Sequence, residues 1–213
     1  MRAVVTITQM SAYILLTSLV RFFFRVECKC SSETLEIIGK GKGLIMIANH
    51  ASRIDHILIL SSFSFGTFYK LLPIRFMTAS NYMSNPVQKF VLILLGCFPH
   101  KTTDKNYSSI EKSIKLLNMN ERVFIYPEGE RVKRVEHSKP KRGVGVLSLE
   151  SNYPILPIRV KGSEHLALEK IILRKVNITI YIGYFISSNE VKSISSDPTK
   201  IVKELMTKVY SLE

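Results

Sequence analysis

A buried strand followed by a polar turn and a helix is the clearest pattern of hydrophobic and polar positions. Positions 44–48 are continuously apolar, a mostly polar segment follows from Asn49 to Asp55, and a continuous apolar run resumes at Ile57. A short unbroken apolar run is typical of a strand that is buried on both faces of a sheet. The pattern therefore predicts a strand that ends at Ala48 and a helix whose first turn holds Asp55.

Strand-like and helix-like segments alternate along the rest of the chain. Strands are predicted over 35–38, 73–78, 95–101, 122–126, 154–160 and 177–186, and helices over 57–65, 86–95, 107–119, 143–149 and from Pro198 onward. Pro86 and Pro198 stand at helix starts, where a missing N–H costs nothing because it has no partner within the helix. This alternation predicts one α/β domain with a mostly parallel mixed sheet flanked by helices.

The N-terminal segment has a composition of its own. Residues 3–20 carry no charge but include six serine, threonine or glutamine side chains, and Arg21 and Arg25 then flank three phenylalanines. A membrane-spanning helix needs about 20 mostly apolar residues, so this segment is marginal in length and rather polar. Phenylalanines beside arginines suit the headgroup region of a bilayer. We expect a membrane-associating segment over 1–28, followed by a domain over 29–213. An interfacial or half-buried helix is favoured over a membrane-spanning helix or a plain core helix.

The charge balance indicates an anionic partner. The chain has 30 basic and 17 acidic residues, a net charge of +13. Such an excess favours a membrane surface, a phosphorylated substrate, an acidic carrier protein or a nucleic acid. The three cysteines have no zinc-site spacing, which predicts reduced thiols. We therefore expect a protein associated with the cytoplasmic face of a membrane, the inner membrane in a bacterium.

A histidine and an aspartate follow the central strand at a spacing that can bring them together. Residues five apart lie about 140° apart on a continuous helix, so His50 can contact Asp55 only from a position before the helix. The carboxylate would then accept the imidazole N–H, fix the tautomer and stabilise an imidazolium. The alternative is that Asp55 only caps the helix.

Four segments, taken in order, resemble the motifs of the glycerolipid (lysophospholipid) acyltransferase family. They are Asn49-His50 with Asp55, Gly96 to Lys101, Tyr126-Pro127-Glu128-Gly129-Glu130-Arg131, and Pro154 to Ile158, with Lys141-Arg142-Gly143 between the third and the fourth. The resemblance spans roughly residues 40–185. Single motifs of this kind are weak signals, whereas the ordered set is specific.

The resemblance implies transfer of a fatty acyl group from a thioester to the hydroxyl of a lysophospholipid, foremost 1-acyl-sn-glycerol-3-phosphate, in phospholipid biosynthesis. It implies His50 as general base with Asp55 beside it, and a direct attack that needs neither a metal nor a cofactor. The acyl donor would be acyl-CoA or acyl carrier protein. The substrate-binding residues that it implies are Lys101, Glu128, Gly129, Arg131 and Lys141.

These residues have different expected tasks. Arg131 and Lys101 would hold the acceptor's phosphate, Arg131 through its bidentate fork. Glu128 would bind a glycerol hydroxyl or fix the arginine, and Gly129 would let the backbone approach the ligand. The basic loop over 133–142 could serve the anionic donor.

Two positions depart from the family pattern. Glu130 stands where the family usually has threonine, which places a second carboxylate beside the phosphate-binding arginine. The second motif lacks the usual Asp-Arg ending, so either His100 or Lys101 could supply its basic group. Both departures leave open another acceptor, such as a lyso-aminolipid.

Other function classes have less support in the sequence. A Ser-His-Asp hydrolase would need a G-x-S-x-G elbow, which the sequence lacks, although Ser52 stands close to His50. A basic module that binds membrane or nucleic acid without catalysis would explain the charge, but no nucleic-acid recognition motif is present. We expect His56, His137 and His165 to be structural or interfacial.

Overall fold

A computed structural model describes residues 1–38, 42–100, 108–164 and 166–213. Within these ranges one sheet contains seven strands: β1 (Arg25–Cys30), β2 (Leu44–Ala48), β3 (Ile74–Ala79), β4 (Cys97–His100), β5 (Arg122–Ile125), β6 (Ile155–Lys161) and β7 (Asn177–Ile182). Their order is β1-β7-β6-β2-β5-β3-β4, which puts β2 at the centre. All neighbouring pairs are parallel except β6 and β7. The predicted α/β fold with a mostly parallel mixed sheet is confirmed.

Helices connect the strands and flank the sheet. The described residues form α1 (Arg2–Phe23), α2 (Ser32–Ile38), α3 (Asp55–Ser62), α4 (Phe65–Leu71), α5 (Pro86–Leu94), α6 (Ser108–Asn118), α7 (Gly143–Glu150), α8 (Leu168–Ile172), α9 (Ser188–Ile194) and α10 (Pro198–Tyr210). The two prolines stand in the first turn of α5 and α10, as predicted. Asn85 and Asp197 precede them and accept backbone N–H groups of the first turns, so each helix has a side-chain cap.

The core consists of two apolar layers, one on each face of the sheet. Along β2, Met46 and Ala48 face the layer under α1, α3 and α4, whereas Ile45 and Ile47 face the layer under α6, α7, α9 and α10. Successive side chains of a strand point to opposite faces, so a strand covered on both sides has no polar position. This explains why β2 is fully buried and reads as a continuous apolar run.

Three local predictions differ from the structure. The segment 35–38 belongs to α2, not to a strand, because Thr34 and Ile38, one helical turn apart, form its buried face. The helix predicted over 57–65 ends at Ser62, since Ser64 caps a new helix by accepting the N–H of Thr67. The strand predicted to reach residue 186 ends at Ile182.

The edge strand β1 had no counterpart among the predicted elements. It pairs with β7 from Arg25 to Cys30 and is mostly exposed, so its sequence carries no apolar run. The predicted division between residues 28 and 29 falls within this strand and stays a prediction.

The N-terminal helix α1 packs one face against the domain. Its buried residues recur every three or four positions, namely Val5, Gln9, Tyr13, Thr17 and Val20. The amide nitrogen of Gln9 donates to the carbonyl oxygens of Ile74 (2.6 Å) and Leu95 (2.9 Å), and its oxygen accepts the N–H of Ile74 at 3.0 Å. Tyr13 donates its hydroxyl to the carbonyl oxygen of Phe63 at 2.8 Å. The helix is therefore held by hydrogen bonds as well as by apolar contact.

The opposite face of α1 is apolar and exposed. It presents large side chains that include Ile7, Ile14, Leu15 and Phe22. Among the described helices, α1 is long and apolar enough to cross a membrane, with 22 residues and a mean hydropathy of 1.7 over its most apolar window. Only 28% of that window is buried in the protein. One face of the helix is thus packed against the domain, while most of its residues are exposed or only partly buried.

Replacing Gln9 with leucine should destabilise the fold. The substitution would leave the N–H and C=O of Ile74 buried without partners, which costs about 1–3 kcal/mol in the free energy of unfolding. Denaturant unfolding of the purified protein measures this loss. Gln88→Leu on the exposed surface of α5 is the matched control and should change stability by less than about 0.5 kcal/mol. Equal stability of the two variants would show that Gln9 does not anchor α1.

Candidate active site

The loops that follow β2, β5 and β6 meet at one edge of the sheet. These three strands are adjacent and parallel, so their carboxyl ends point the same way. Open α/β sheets bind ligands at this edge. The segments that converge are 49–54 after β2, 126–132 after β5 and 162–164 after β6.

His50 and Asp55 are in contact. The Nδ1 atom of His50 lies 3.0 Å from Oδ2 of Asp55, and the aspartate side chain is fully buried while that of His50 is 19% exposed. His50 precedes α3 and Asp55 is its first residue, the arrangement that the spacing requires. The bond to Nδ1 leaves Nε2 as the ring nitrogen that points away from Asp55.

Three further donors hold the Asp55 carboxylate. Oδ2 accepts the N–H groups of Ala51 and Ser52, each at 2.7 Å, and Oδ1 accepts the hydroxyl of Ser163 at 2.7 Å. The N–H donors belong to the loop before the helix, and the residue at the cap position is Ile54. Asp55 therefore stabilises the turn that carries His50, which differs from the helix cap considered as the alternative.

The peptide and the ring of His50 are held by the loop after β5. Its N–H donates to Oε2 of Glu128 at 2.8 Å, and its carbonyl oxygen accepts the N–H of Val132 at 2.6 Å. The imidazole stacks on the ring of Tyr126 with a centroid distance of 4.0 Å and an interplanar angle of 18°. These contacts restrain both the backbone position and the orientation of the imidazole.

Asn49 joins the loop after β2 to β6. Its amide donates to the carbonyl oxygen of Val160 at 2.9 Å and accepts the N–H of Val160 at 2.7 Å. The side chain thus continues the pairing of β2 and β6 beyond the end of β2. The asparagine before His50 therefore has a structural task in this protein.

Glu128 is enclosed by protein. It is 1% exposed, and its second carboxylate oxygen, Oε1, accepts the hydroxyl of Tyr210 at 2.5 Å. Each oxygen therefore already has a protein donor, and Glu128 forms no ion pair with Arg131, although the structure describes both residues. Its role in binding substrate stays a prediction, and the contacts describe a group that positions His50.

Gly129 and Lys141 lie against each other. Gly129 has φ of +69°, a conformation that favours glycine, and a Cβ there would lie 3.0 Å from Cδ, Cε and Nζ of Lys141. The absence of a side chain at Gly129 thus gives space to the lysine. Lys141 and Arg131 are both exposed, whereas Lys101 lies outside the described residues.

A cavity of about 860 Å³ adjoins this site. Its apolar part is formed largely by α1, α3 and β3, with Leu16, Leu60 and Phe76 among the lining residues. Its polar part contains His50 together with charged and imidazole side chains, namely Arg53, His100, Glu130, Arg131, Lys141 and Arg142. The volume is typical of a site for a small molecule. The division between the two parts fits an amphiphile with an anionic head.

The other histidines lie in different surroundings. His56 lines the cavity, and burial lowers its pKa, so the imidazole is neutral at physiological pH. Nδ1 of His100 is 2.9 Å from the hydroxyl of Ser109. His137 is exposed on a short 3₁₀ turn, and His165 lies outside the described residues. In the described part of the chain, no cluster of three or more histidine, cysteine or acidic side chains could hold a metal ion.

Sequence reasoning missed two residues that contact the site. Ser163, which bonds Asp55, follows β6 and Gly162, and Tyr210, which bonds Glu128, lies in the last turn of α10. Neither lies in one of the four motifs. The Pro-bounded strand β6 was the available signal for Ser163, since its carboxyl end lies beside that of β2.

Comparison with solved structures identifies a similar fold. The 1-acyl-sn-glycerophosphate (LPA) acyltransferase PlsC of Thermotoga maritima superposes with a TM-score of 0.65 and 18% identity, covering 94% of this chain and 76% of that protein. This likeness shows a shared fold.

Two curated relatives are named as 1-acyl-sn-glycerol-3-phosphate acyltransferases. The chain is 23% identical over 149 residues to 1-acyl-sn-glycerol-3-phosphate acyltransferase of Borreliella burgdorferi, over 69% of this chain and 56% of that protein. It is 25% identical over 121 residues to the chloroplastic 1-acyl-sn-glycerol-3-phosphate acyltransferase BAT2 of Brassica napus, over 56% of this chain and 33% of that protein. The chain thus spans between a third and just over half of these relatives.

The acyltransferase family model matches residues 29–161, which include His50, Asp55 and the turn from Tyr126 to Arg131. This match covers more than half of the chain. The protein therefore belongs to the acyltransferase family.

Proposed function

We propose that this acyltransferase moves a fatty acyl group from an acyl thioester to the free hydroxyl of 1-acyl-sn-glycerol-3-phosphate, which gives phosphatidic acid. The observation that carries the proposal is the His50–Asp55 pair at the polar end of a cavity with an apolar interior. The names of the curated relatives support the same acceptor.

In the proposed reaction, His50 acts as general base. Nε2 takes the proton of the acceptor hydroxyl as its oxygen attacks the thioester carbonyl, and Asp55 stabilises the imidazolium through Nδ1. The new C–O bond forms, the C–S bond breaks, and the leaving thiolate receives the proton from the imidazolium. His50 returns to its neutral form, so the cycle needs neither a metal nor a cofactor.

The basic side chains of the cavity would bind the anionic parts of the substrates. Arg131 and Lys141 line the polar part and are exposed, so both can reach a phosphate there. Arg131 can hold it through two parallel hydrogen bonds, while Lys141 acts as a point charge. Lys101 remains a predicted third ligand. The acyl donor would be acyl-CoA or acyl carrier protein, both anionic and both matched in charge to the basic loop over 133–142.

Glu130 favours a second acceptor class. Its carboxylate is exposed and lines the polar part of the cavity beside Arg131. An acceptor with an amine, such as a lyso-aminolipid, would gain an ion pair there, whereas a phosphate acceptor would meet a like charge. This alternative keeps the reaction and changes only the headgroup.

We also propose that the exposed face of α1 docks the enzyme on a membrane. Ala12 and Leu16 of α1 line the cavity, and the neighbouring helix α5 exposes Val87 and Phe90. An apolar surface beside the cavity would let a lysolipid enter from the bilayer with its chain first. The net charge of +13 would add attraction to anionic lipids.

Substitution of His50 by alanine should abolish most of the activity. Loss of a general base lowers kcat by about 10²–10⁴-fold. Transfer of a labelled acyl group from acyl-CoA to lysophosphatidic acid measures the effect, with Tyr184→Ala as the control because Tyr184 is 68% exposed and outside both the cavity and the basic loop. Comparable rates in both variants would rule out His50 as the base. Activity that is absent even in the wild type would redirect the assay to acyl carrier protein donors and other acceptors.

Substitution of Glu130 by threonine should improve use of the phosphate acceptor. Removing an exposed like charge is worth about 0.2–1 kcal/mol, so the KM for lysophosphatidic acid should fall by a factor of about 1.4 to 5. Glu136→Thr removes the same charge from the same loop outside the cavity and serves as the control. A panel of lysolipids tests the alternative acceptor class. If the wild type prefers an amine-bearing acceptor and Glu130→Thr loses that preference, the alternative is supported.

Substitution of Leu15 by asparagine should weaken membrane binding. Deleting α1 is a poor test because the helix contributes core side chains, whereas Leu15 is 64% exposed on its outer face. Insertion of a leucine contributes about 1.5–3 kcal/mol, so the affinity for anionic vesicles should fall by at least about tenfold. Tyr184→Asn is the control, since Tyr184 is 68% exposed and outside α1 and α5. Equal vesicle sedimentation of the two variants would contradict docking through α1.

A further inference from the structure

The last turn of α10 reaches the candidate active site through one side chain. The hydroxyl of Tyr210 lies 2.5 Å from Oε1 of Glu128, and the other oxygen of that carboxylate accepts the N–H of His50 at 2.8 Å. Glu128 is 1% exposed, so water contributes little to holding it. Tyr210, Glu128 and the His50 peptide thus form a continuous chain of hydrogen bonds.

A clamp from the sheet holds the turn that carries Tyr210. Arg159 of β6 donates from one guanidinium nitrogen to the carbonyl oxygens of Tyr210 at 2.6 Å and of Leu212 at 2.9 Å. Val209, next to Tyr210, is fully buried in the core layer below α10. The tyrosine is therefore attached to a rigid element, and its hydroxyl has a defined position.

The electrostatic surroundings keep Tyr210 a donor. Burial and the adjacent Glu128 carboxylate raise the pKa of Tyr210, so the phenol stays protonated throughout the range in which an acyltransferase is assayed. A protonated phenol can donate a hydrogen bond, and an ionised carboxylate can only accept one. Tyr210 is therefore the donor in its bond to Glu128. Hydrogen bonds to a charged acceptor are about twice as strong as neutral ones.

We propose that Tyr210 is a positioning residue for acyl transfer, which orients the Glu128 carboxylate and through it the backbone of His50. The proposal rests on the function proposed above, since it assigns Tyr210 a task in that reaction. Tyr210 does not touch the proposed base and acts only through Glu128. It extends the site beyond the residues 29–161 that the family model matches.

Loss of the Tyr210 hydroxyl should affect the reaction because the position of the imidazole depends on the position of the His50 backbone. Without the phenol, the buried Glu128 carboxylate would lose one of its two donors and would reorient toward another partner. The His50 N–H would then lose its acceptor, and the imidazole could move relative to the acceptor hydroxyl. A displacement of about 1 Å can cost about 10²-fold in rate.

The test compares Tyr210→Phe with Tyr153→Phe in the full chain. Both remove one hydroxyl and keep the ring, but the Tyr153 hydroxyl bonds Asn118 on the exposed surface, away from the site. Steady-state kinetics measure kcat and KM. Selective ¹⁵N-histidine labelling gives one backbone amide signal for each of the five histidines, and that of His50 is identified by its loss in His50→Ala.

In Tyr210→Phe, the His50 amide signal should shift and kcat should fall by about tenfold with little change in KM. The loss is smaller than the roughly 10²-fold cost of a full 1 Å displacement, because the imidazole moves only in part. Tyr153→Phe should leave the signal and kcat unchanged. A second variant, Arg159→Gln, keeps the phenol but releases its turn, and should shift the same signal.

Two results would overturn the proposal. One is a His50 amide signal that stays in place in both Tyr210→Phe and Arg159→Gln. The other is a kcat of Tyr210→Phe within about twofold of that of Tyr153→Phe, which would show that the imidazole keeps its productive position without the phenol. If the wild type transfers no acyl group to lysophosphatidic acid from either acyl-CoA or acyl carrier protein, the proposed acceptor fails instead, and the amide signal still decides whether Tyr210 holds His50.

Discussion

The buried carboxylate of Asp55 is the interaction on which the site depends. A fully buried charge costs several kcal/mol unless donors surround it. Here the donors come from the loop after β2, from the imidazole of His50 and from Ser163 after β6. They are in place only when β2 and β6 are paired and the loop has folded back on α3. Because the Asp55 carboxylate needs these donors, the site forms together with the fold. The same arrangement of donors fixes the tautomer of His50.

The position of His50 follows from the order of the strands. The central strand β2 has β6 on one side and β5 on the other, so its loop receives support from both directions. Asn49 binds the backbone of β6, while Glu128 and Val132 bind the two polar groups of the His50 peptide from the β5 side. An edge strand would offer support from one side only. Central placement therefore explains how a histidine in a loop can have a defined position.

The sequence predicted the parts of the structure that are set by local pattern. It predicted β2, the turn with His50 and Asp55, and the starts of α5 and α10 at Pro86 and Pro198, because each depends on residues close together in the chain. It could not predict Ser163 or Tyr210, whose partners lie 108 and 82 positions away, since only the folded topology brings them together.

The errors of prediction fall where the local pattern does not decide the structure. A short apolar segment such as 35–38 fits a helix as well as a strand by periodicity alone. The edge strand β1 is mostly exposed and has no apolar pattern by which to recognise it. In both places the deciding contacts are with distant residues, with β7 in the case of β1.

The polar residues of α1 explain why its sequence is ambiguous. Gln9 makes the segment weak as a spanning helix, yet its amide is fully bonded to the backbone of residues 74 and 95. Thr8 and Ser18 bond carbonyl oxygens of their own helix and so expose no unpaired donor. Most of the other exposed positions are apolar, among them Ile7, Ile14 and Phe22. A helix that packs one side against the domain and exposes an apolar surface on the other needs both kinds of residue, and its average composition therefore resembles neither a core helix nor a membrane span.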